Sequence, residues 1–250
     1  MVISSRNNEK VKKIASLKEK KFRIKENAFL VEGFKRVKEA FSRGAKVQSV
    51  VGTESALEKL SKDLSFKDFP CEVIEVSESV YERISDSVTP QGVSAVIGIE
   101  EKKSSGKISV LLDGVSDPGN MGTIIRTLSA VGIDKLYLVG CCDPYSPKAV
   151  RASMSGIYFV NIEETTYSEA FEKLGDSKIV VADMGGENVF GFIPPEKYCL
   201  VIGNEANGVS EEVKRRADRV IGIPMNAHTE SLNAAVSLSV ILYELTFGKK

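Results

Sequence analysis

The segment L-L-D-G-V-S-D-P-G-N-M-G-T-I-I-R-T-L-S-A-V-G, residues 111–132, predicts a strand, a polar loop and a helix in succession. The apolar strand ends at Leu112, and Gly, Pro and Asn then interrupt the chain before a helical apolar period begins. Asn120 or Gly119 can open this helix, and Arg126 projects from its first turns. Such a loop can hold an anion because backbone N–H groups converge at a helix start. The alternative is that Asn120 is a helix cap and Arg126 a surface cation.

Two further strand-to-loop junctions follow in the C-terminal half. C-L-V-I-G-N-E-A-N-G-V-S at 199–210 places Glu205 in a Gly/Asn loop after an apolar strand. V-I-G-I-P-M-N-A-H-T-E-S-L-N-A-A-V at 220–236 places Ser231 and Asn233 at the start of another helix. Ser231 can be a simple N-cap and Glu205 a solvated carboxylate. Capping explains one such residue more easily than the whole set.

These junctions belong to a regular alternation of strands and helices, which predicts a mostly parallel sheet buried on both faces. Ligands of such sheets bind at the carboxyl ends of the strands, where the three loops lie. The predicted strands are Ile108–Leu112, Lys135–Val139, Ile179–Ala182, Tyr198–Ile202 and Val220–Ile223, with helices near 121–131, 168–174, 210–217 and 231–246.

A smaller α/β unit precedes this region. The polar stretch E-E-K-K-S-S-G-K is the most linker-like segment of the chain, so we predict an N-terminal domain at 1–99, a linker at 100–107 and a second domain at 108–250. The N-terminal pattern predicts an amphipathic helix over 9–20, strands at 29–31, 47–51, 71–76 and 93–99, and helices around 34–41, 54–60 and 78–84.

Basic charge is concentrated near the N-terminus. The chain has 34 Lys and Arg against 34 Asp and Glu, but residues 1–46 hold 14 Lys and Arg against 5 Glu. A net charge of +9 over this stretch favours a nucleic-acid partner, because clustered cations hold a phosphate backbone. The alternative is a solvated helix face. The candidate nucleic-acid contacts are Arg6, Lys10, Lys13, Lys20, Lys21 and Arg23.

Several classes of protein find no support in the sequence. No apolar run approaches the roughly 20 residues of a membrane span, and no signal-peptide core follows the N-terminus, so we expect a cytoplasmic protein. The four cysteines and the single His228 have no zinc-ligand spacing, and we expect no metal. The dinucleotide and P-loop glycine patterns are absent, which argues against the rival hypothesis of a nucleotide-dependent oxidoreductase.

Three motifs together resemble those of the SpoU/TrmH branch of SPOUT RNA 2′-O-ribose methyltransferases: D-P-G-N-M-G-T-I-I-R at 117–126, I-G-N-E-A-N-G-V at 202–209 and I-P-M-N-A-H-T-E-S-L-N-A-A-V at 223–236. K-A-V-R-A-S-M-S-G at 148–156 resembles a further family segment. R-N-N-E-K-V-K-K at 6–13 and F-L-V-E-G at 29–33 resemble the L30e-like substrate-binding domain of rRNA-modifying members. Ala206 and Ser155 depart from the residues that many relatives have there.

The resemblance implies an L30e-like α/β domain followed by a SPOUT α/β domain, with a mostly parallel sheet and a C-terminal trefoil knot. It also implies a homodimer whose site lies near the subunit interface, and S-adenosylmethionine as methyl donor. The implied donor-binding residues are Met184, Leu200, Ile202, Gly203, Ile223, Met225, Leu232 and Ala234. The implied catalytic or RNA-facing residues are Asn120, Arg126, Glu205, Ser231 and Asn233.

For the substrate, the L30e-like half favours a folded loop of 23S rRNA over tRNA. Arg126 is assigned in this family to activating the ribose hydroxyl, but a guanidinium does not normally accept a proton. We therefore expect Arg126 to bind a phosphate and the developing alkoxide. The chief rival is a non-catalytic RNA-binding or ribosome-assembly factor on the same scaffold.

Overall fold

The computed structural model describes residues 2–63, 71–101, 104, 106–226, 228 and 231–248. The chain divides into two compact units. One comprises Met1–Glu100 and Tyr145–Tyr158, and the other Glu101–Pro144 and Phe159–Lys250. The structure thus groups Tyr145–Tyr158 with the first unit, where the sequence predicted a single second domain over 108–250. Three residues of the predicted linker, 102, 103 and 105, lie outside the described residues, and its bounds stay a prediction.

The first unit is built on a four-stranded mixed sheet. Its strands are β1 Ala28–Glu32, β2 Val47–Gly52, β3 Glu72–Glu75 and β4 Val93–Gly98, and they lie in the order β1–β4–β2–β3. β4 runs antiparallel to both β1 and β2, and β2 runs parallel to β3. The helices of this unit, numbered along the whole chain, are α1 Glu9–Ser16, α2 Lys20–Glu26, α3 Phe34–Ser42, α4 Glu54–Ser61, α5 Glu78–Ile84 and α7 Pro147–Ser153.

The helix predicted over 9–20 is α1, which ends earlier, at Ser16, and a second helix, α2, begins at Lys20. Val11, Ile14 and Leu17 are buried in the core as their spacing predicted. The chain leaves helical geometry after Leu17, and Glu19 has extended backbone angles before α2 begins. This break leaves the Leu17 carbonyl free to accept a hydrogen bond from outside α1.

Arg23 supplies that hydrogen bond, and its prediction as an RNA contact is therefore wrong. Its side chain is only 4% exposed, and the guanidinium donates to the Leu17 carbonyl oxygen at 2.6 Å. The buried guanidinium donates to a backbone carbonyl and so fixes the turn between α1 and α2. In this position it is not accessible to a phosphate in solvent.

The second unit contains a six-stranded sheet in which all neighbouring strands are parallel. The strands are β5 Ile108–Asp113, β6 Lys135–Val139, β7 Asn161–Glu164, β8 Lys178–Asn188, β9 Tyr198–Ile202 and β10 Arg219–Gly222, in the order β10–β8–β9–β5–β6–β7. The helices are α6 Pro118–Val131, α8 Tyr167–Leu174, α9 Glu211–Lys214 and α10 Ala234–Phe247. The predicted α/β class with a mostly parallel sheet is confirmed, whereas β7 and α7 were not among the predicted elements.

Strand order brings the motif loops to one edge of this sheet. β9 pairs with both β5 and β8, and β8 pairs with β10, so four adjacent strands end side by side. The central strands are almost entirely buried, as expected for a parallel sheet covered on both faces. The loops after β5, β9 and β10 therefore meet at the carboxyl edge of the sheet.

The helices that follow the first and third motif loops begin differently from the sequence prediction. The Asp117 side chain caps α6 by accepting a hydrogen bond from Asn120 N at 2.9 Å, with Pro118 as the first helical residue. Asn233 caps α10, accepting from Ala235 N and Val236 N. Neither Asn120 nor Ser231 is therefore a helix cap, and the Asn120 side chain is available for other interactions.

The pairing between β8 and β10 is interrupted. Val220 pairs with Val181, but the next residue, Ile221, pairs with Glu187, so an intervening segment of β8 leaves the ladder. Gly186 packs so closely on the Ile221 backbone that a Cβ atom there would collide with it. The predicted trefoil knot itself stays a prediction. None of the helices that the structure describes is long and apolar enough to cross a membrane.

Candidate active site

A cavity of about 590 Å³ opens at the carboxyl edge of the parallel sheet. It is lined by the part of β8 beyond Val181, by the ends of β9 and β10 with the loops that follow them, and by residues of α10. This is the position at which open α/β sheets bind their ligands. Its volume lies within the range of about 300–1,000 Å³ that is typical of small-molecule sites.

Most of the predicted donor-binding residues line this cavity. They are Met184, Ile202, Gly203, Ile223, Met225, Leu232 and Ala234. Leu200, which was also predicted, is completely buried in the middle of β9 instead. The cavity therefore combines apolar side chains with the backbone of the loop after β9, a lining suited to a flat heterocycle.

The Asn120 side chain joins the three motif loops. Its amide nitrogen donates to Glu205 Oε1 at 2.6 Å, in the loop after β9. Its amide oxygen accepts from Asn233 Nδ2 at 2.8 Å, at the start of α10. Three of the five predicted catalytic residues thus form one hydrogen-bonded chain, Glu205–Asn120–Asn233.

Two residues that the sequence analysis did not single out hold the loop after β9 in place. Asp113 is buried at the end of β5, and its carboxylate accepts from Ser210 N at 2.7 Å and from the Tyr167 hydroxyl at 2.6 Å. Burial and the hydrogen bond to Asp113 raise the pKa of Tyr167, so its hydroxyl remains a donor at neutral pH. Asn204 Nδ2 donates to the Gly114 carbonyl at 2.7 Å. In the sequence, each of these two residues lies at the end of an apolar strand or within two residues of it, and that position could have singled them out.

Close backbone packing also shapes this loop. Asn204 N donates to the Gly208 carbonyl, and Gly208 N donates back to the Asn204 carbonyl, each at 2.9 Å. A Cβ atom on Gly203 would collide with the Gly208 carbonyl group. The predicted donor-binding position Gly203 therefore has a structural reason to be glycine, because the loop closes directly over it.

Arg126 and Ser231 differ from the other three predicted catalytic residues. Ser231 is exposed at the cavity rim, and Arg126 is exposed on α6. Neither side chain has a hydrogen bond or ion pair to any residue within the described part of the chain. The Arg126 guanidinium is thus free of those partners and available to an anionic ligand.

The helix that carries Arg126 is fixed against α10. The Thr127 and Ser239 hydroxyl oxygens lie 3.0 Å apart. Since the Ser239 hydroxyl donates to the Ala235 carbonyl at 2.7 Å, the Thr127 hydroxyl is the donor to Ser239. This hydrogen bond lies one residue after Arg126 and fixes the position of α6 along α10.

Cysteine and metal chemistry find no support in the described residues. Burial raises the pKa of Cys141 and of Cys142 to about 11, and that of Cys199 to about 12. These thiols are therefore protonated at neutral pH and are poor nucleophiles. Among the residues described, no three His, Cys, Asp or Glu side chains are grouped to hold a metal ion.

The second unit has a parallel sheet with a cavity at its carboxyl edge, and one residue of its polar chain, Asn120, lies on the same helix as the exposed Arg126. These features define an α/β protein suited to a small ligand next to an anionic one. Comparison with known proteins is more specific. Residues 107–243 match the SpoU rRNA Methylase family, and residues 8–95 match the MRM3-like substrate binding domain. The chain belongs to the SpoU rRNA methylase family, which confirms the family that its three motifs predicted.

Full-length relatives share both parts of the chain. The 23S rRNA (guanosine(2553)-2′-O)-methyltransferase RlmP of Bacillus subtilis is 30% identical over 97% of this chain and 98% of that protein. An AdoMet-bound rRNA methyltransferase from Sinorhizobium meliloti is 29% identical, with a TM-score of 0.84 over 98% of this chain and 97% of that one. The SpoU methyltransferase AviRb from Streptomyces viridochromogenes with AdoMet is 25% identical, with a TM-score of 0.86 over 96% and 97%.

Two substitutions of Asn233 separate its two roles. Asn233→Asp keeps the oxygen that caps α10 but removes the amide donor to Asn120, so we expect a free energy of unfolding within about 0.5 kcal/mol of the wild type. Asn233→Ala removes the cap as well as the donor and should cost about 1–2 kcal/mol. Chemical denaturation measures both values. Equal destabilisation by the two variants would contradict the capping role.

Proposed function

We propose that this protein transfers the methyl group of S-adenosylmethionine to a ribose 2′-hydroxyl of RNA, with 23S rRNA as the substrate. The observation that carries the proposal is the Glu205–Asn120–Asn233 chain, which joins the cavity to the helix bearing Arg126. The family and the named activity of the Bacillus subtilis relative support the reaction and the substrate. We place the protein in the cytoplasm.

The cavity fits the methyl donor by its position and lining. Ile202, Ile223 and Leu232 supply apolar surface for adenine, and backbone groups of the loop after β9 supply hydrogen bonds. When bound, the donor supplies an electrophilic methyl group on a sulfonium. The protein must then hold a weakly nucleophilic hydroxyl in line with that methyl group, so positioning dominates catalysis.

Arg126 provides positive charge where the ribose oxygen becomes negative. A guanidinium keeps its proton at neutral pH and therefore does not act as a base. It does donate two parallel hydrogen bonds, which suits a neighbouring phosphate and the developing alkoxide together. Glu205 and Asn120 position the groups around it, while Ser231 and Asn233 organise the third loop.

Arg126→Ala should lower kcat for methyl transfer by about 10²–10³-fold, because the variant lacks a charge-stabilising donor in the transition state. Affinity for S-adenosylmethionine should remain unchanged, since Arg126 is not part of the cavity lining. Steady-state kinetics and calorimetry measure the two quantities. Arg215→Ala is the matched control, because Arg215 is likewise exposed and its side chain has no ion pair to a described residue. A parallel loss of donor affinity in Arg126→Ala would contradict this role.

The N-terminal helices supply a basic surface for RNA. Arg6 pairs with Glu82, Lys10 with Glu72, Lys13 with Glu26 and Lys21 with Glu19. The cationic side chains in these pairs are all more than half exposed. Exposed ion pairs contribute only about 0–1 kcal/mol, so phosphates can replace the carboxylates at little cost. The match to a substrate-binding domain supports RNA as the partner of this unit.

The double variant Lys13→Glu/Lys21→Glu should weaken RNA binding, because it reverses the charge at two cations of this surface. The slope of log affinity against log salt concentration should fall by about 1 for each phosphate that the variant no longer neutralises. Fluorescence anisotropy at several salt concentrations measures this slope. Lys38→Glu on α3 is the control, since Lys38 is partly exposed and paired with Asp63 but lies outside the predicted RNA contacts. Unchanged RNA affinity in the double variant would refute the role of this surface.

We also propose a homodimer. On α10, Val236, Tyr243 and Phe247 are 47%, 49% and 63% exposed, and their spacing of seven and four residues places them on one helix face. The Tyr243 and Phe247 rings pack together, with centroids 5.7 Å apart. This apolar stripe supports burial against a second copy of the chain. We further propose the C-terminal trefoil knot, on the basis of the family to which the chain belongs.

Incubation with methyl-labelled S-adenosylmethionine and total unmodified RNA tests the proposed reaction. We expect label on one ribose of 23S rRNA, located by alkaline-hydrolysis resistance and primer extension. Label on a base or on protein would contradict 2′-O-methyl transfer, and label on tRNA alone would contradict the proposed substrate. RNA binding without any label would favour the rival, a non-catalytic RNA-binding factor.

A further inference from the structure

The cavity holds a carboxylate that none of the three motifs contains. Asp183 lines it, two residues beyond the point where β8 stops pairing with β9 at Val181. We propose that Asp183 accepts hydrogen bonds from the ribose hydroxyls of the methyl donor. This assignment deepens the proposed function and rests on it, since it presupposes an adenosyl ligand in this cavity.

Strand order places Asp183 at the middle of the site. β8 lies between β9 and β10, the two strands whose loops carry most of the predicted donor-binding residues. A donor that spans those two loops must cross the carboxyl end of β8. In S-adenosylmethionine the ribose is the central group, with adenine on one side and the methionine chain on the other. The position of Asp183 therefore matches the ribose better than either end of the donor.

Asp183 also has unused hydrogen-bonding capacity. Its Oδ1 accepts from Met184 N at 2.8 Å, which fixes the orientation of the carboxylate. Its Oδ2 lies 3.5 Å from Lys214 Nζ, and that lysine is equally far from Glu211. Each carboxylate oxygen has two acceptor positions, so both oxygens can accept a further hydroxyl. A carboxylate that accepts from ribose hydroxyls is a recurrent device of nucleotide-binding α/β sheets.

Two other polar side chains of the cavity lining, Asn204 and Glu205, have partners elsewhere. The Asn204 amide donates to the Gly114 carbonyl and accepts from Ala206 N. Glu205 is exposed and accepts from Asn120 at 2.6 Å. Asp183 is half-buried, and it is the remaining carboxylate among the described lining residues.

Calorimetry with three ligands tests the assignment. Asp183→Asn keeps the acceptor for Met184 N but loses the charge and one acceptor oxygen. We expect it to weaken S-adenosylmethionine and 5′-methylthioadenosine by the same factor, about 10- to 100-fold, as for hydrogen bonds to a charged group. The 2′,3′-dideoxy form of 5′-methylthioadenosine lacks both hydroxyls, so it should bind the wild type and the variant equally.

Glu187→Gln is the matched control, because Glu187 is a half-exposed carboxylate on the same strand that pairs with Arg219 outside the cavity. It should leave all three affinities unchanged. Asp183→Ala should weaken the two hydroxyl-bearing ligands at least as much as Asp183→Asn does. A fold defect in either variant would weaken the dideoxy ligand too, so that ligand reports on the integrity of the cavity.

Three results would overturn the inference. They are equal affinities of wild type and Asp183→Asn for 5′-methylthioadenosine, loss of S-adenosylmethionine affinity without loss of 5′-methylthioadenosine affinity, and weaker dideoxy binding in the variants. The second would assign the carboxylate to the amino group of the donor. Absence of S-adenosylmethionine binding by the wild type would instead overturn the proposed function, and this inference with it.

Discussion

The rest of the site depends on the two hydrogen bonds of the Asn120 amide. One joins the loop after β5 to Glu205 and the other joins it to Asn233, so a single side chain connects three segments that are far apart in sequence. The amide can do this because Asp117 has already taken the role of helix cap. A short polar side chain at a helix start would otherwise turn back to its own backbone.

The fold around Asn120 makes this connection possible at low cost. Parallel strand pairing brings the ends of β5 and β9 together, and the buried Asp113 and the partly buried Asn204 then tie the following loops to each other. Each such hydrogen bond contributes only about 0.5–1.5 kcal/mol net to stability. Their value lies in preorganisation, because groups already fixed need no rearrangement when charge develops during reaction. Thr127 and Ser239 extend the same constraint to the helix that carries Arg126.

The two halves of the protein divide the work of recognition. The parallel sheet supplies a cavity for a small ligand, and Asp183 and Glu205 are the carboxylates among its described lining residues. The N-terminal unit supplies positive charge that is held in weak, exposed ion pairs. Strongly paired or buried cations would not serve this purpose, and Arg23 illustrates the difference, since its guanidinium is committed to the Leu17 carbonyl.

Apolar periodicity predicted most strands and most helices but not β7 or α7, because burial on both faces of a parallel sheet leaves a clear pattern in sequence. The three motifs also predicted most of the cavity lining. The roles that could not be predicted depend on which of two similar side chains makes a given hydrogen bond. Ser231 and Asn233 are equally good caps by type, and only the structure shows that Asn233 caps α10. Likewise, nothing in the local sequence of Asp183 distinguishes a carboxylate that lines the cavity from a solvated one.

A double-mutant cycle between Asn120 and Asn233 tests the central claim most directly. Asn120→Ala, Asn233→Asp and the double variant are compared by kcat/KM for methyl transfer, with Asn233→Asp chosen because it retains the cap of α10. If the hydrogen-bonded chain acts as one unit, the double variant should be no slower than the slower single variant, which corresponds to a coupling of about 0.5–3 kcal/mol. Rate losses that multiply would show that the two residues act independently and would contradict the account.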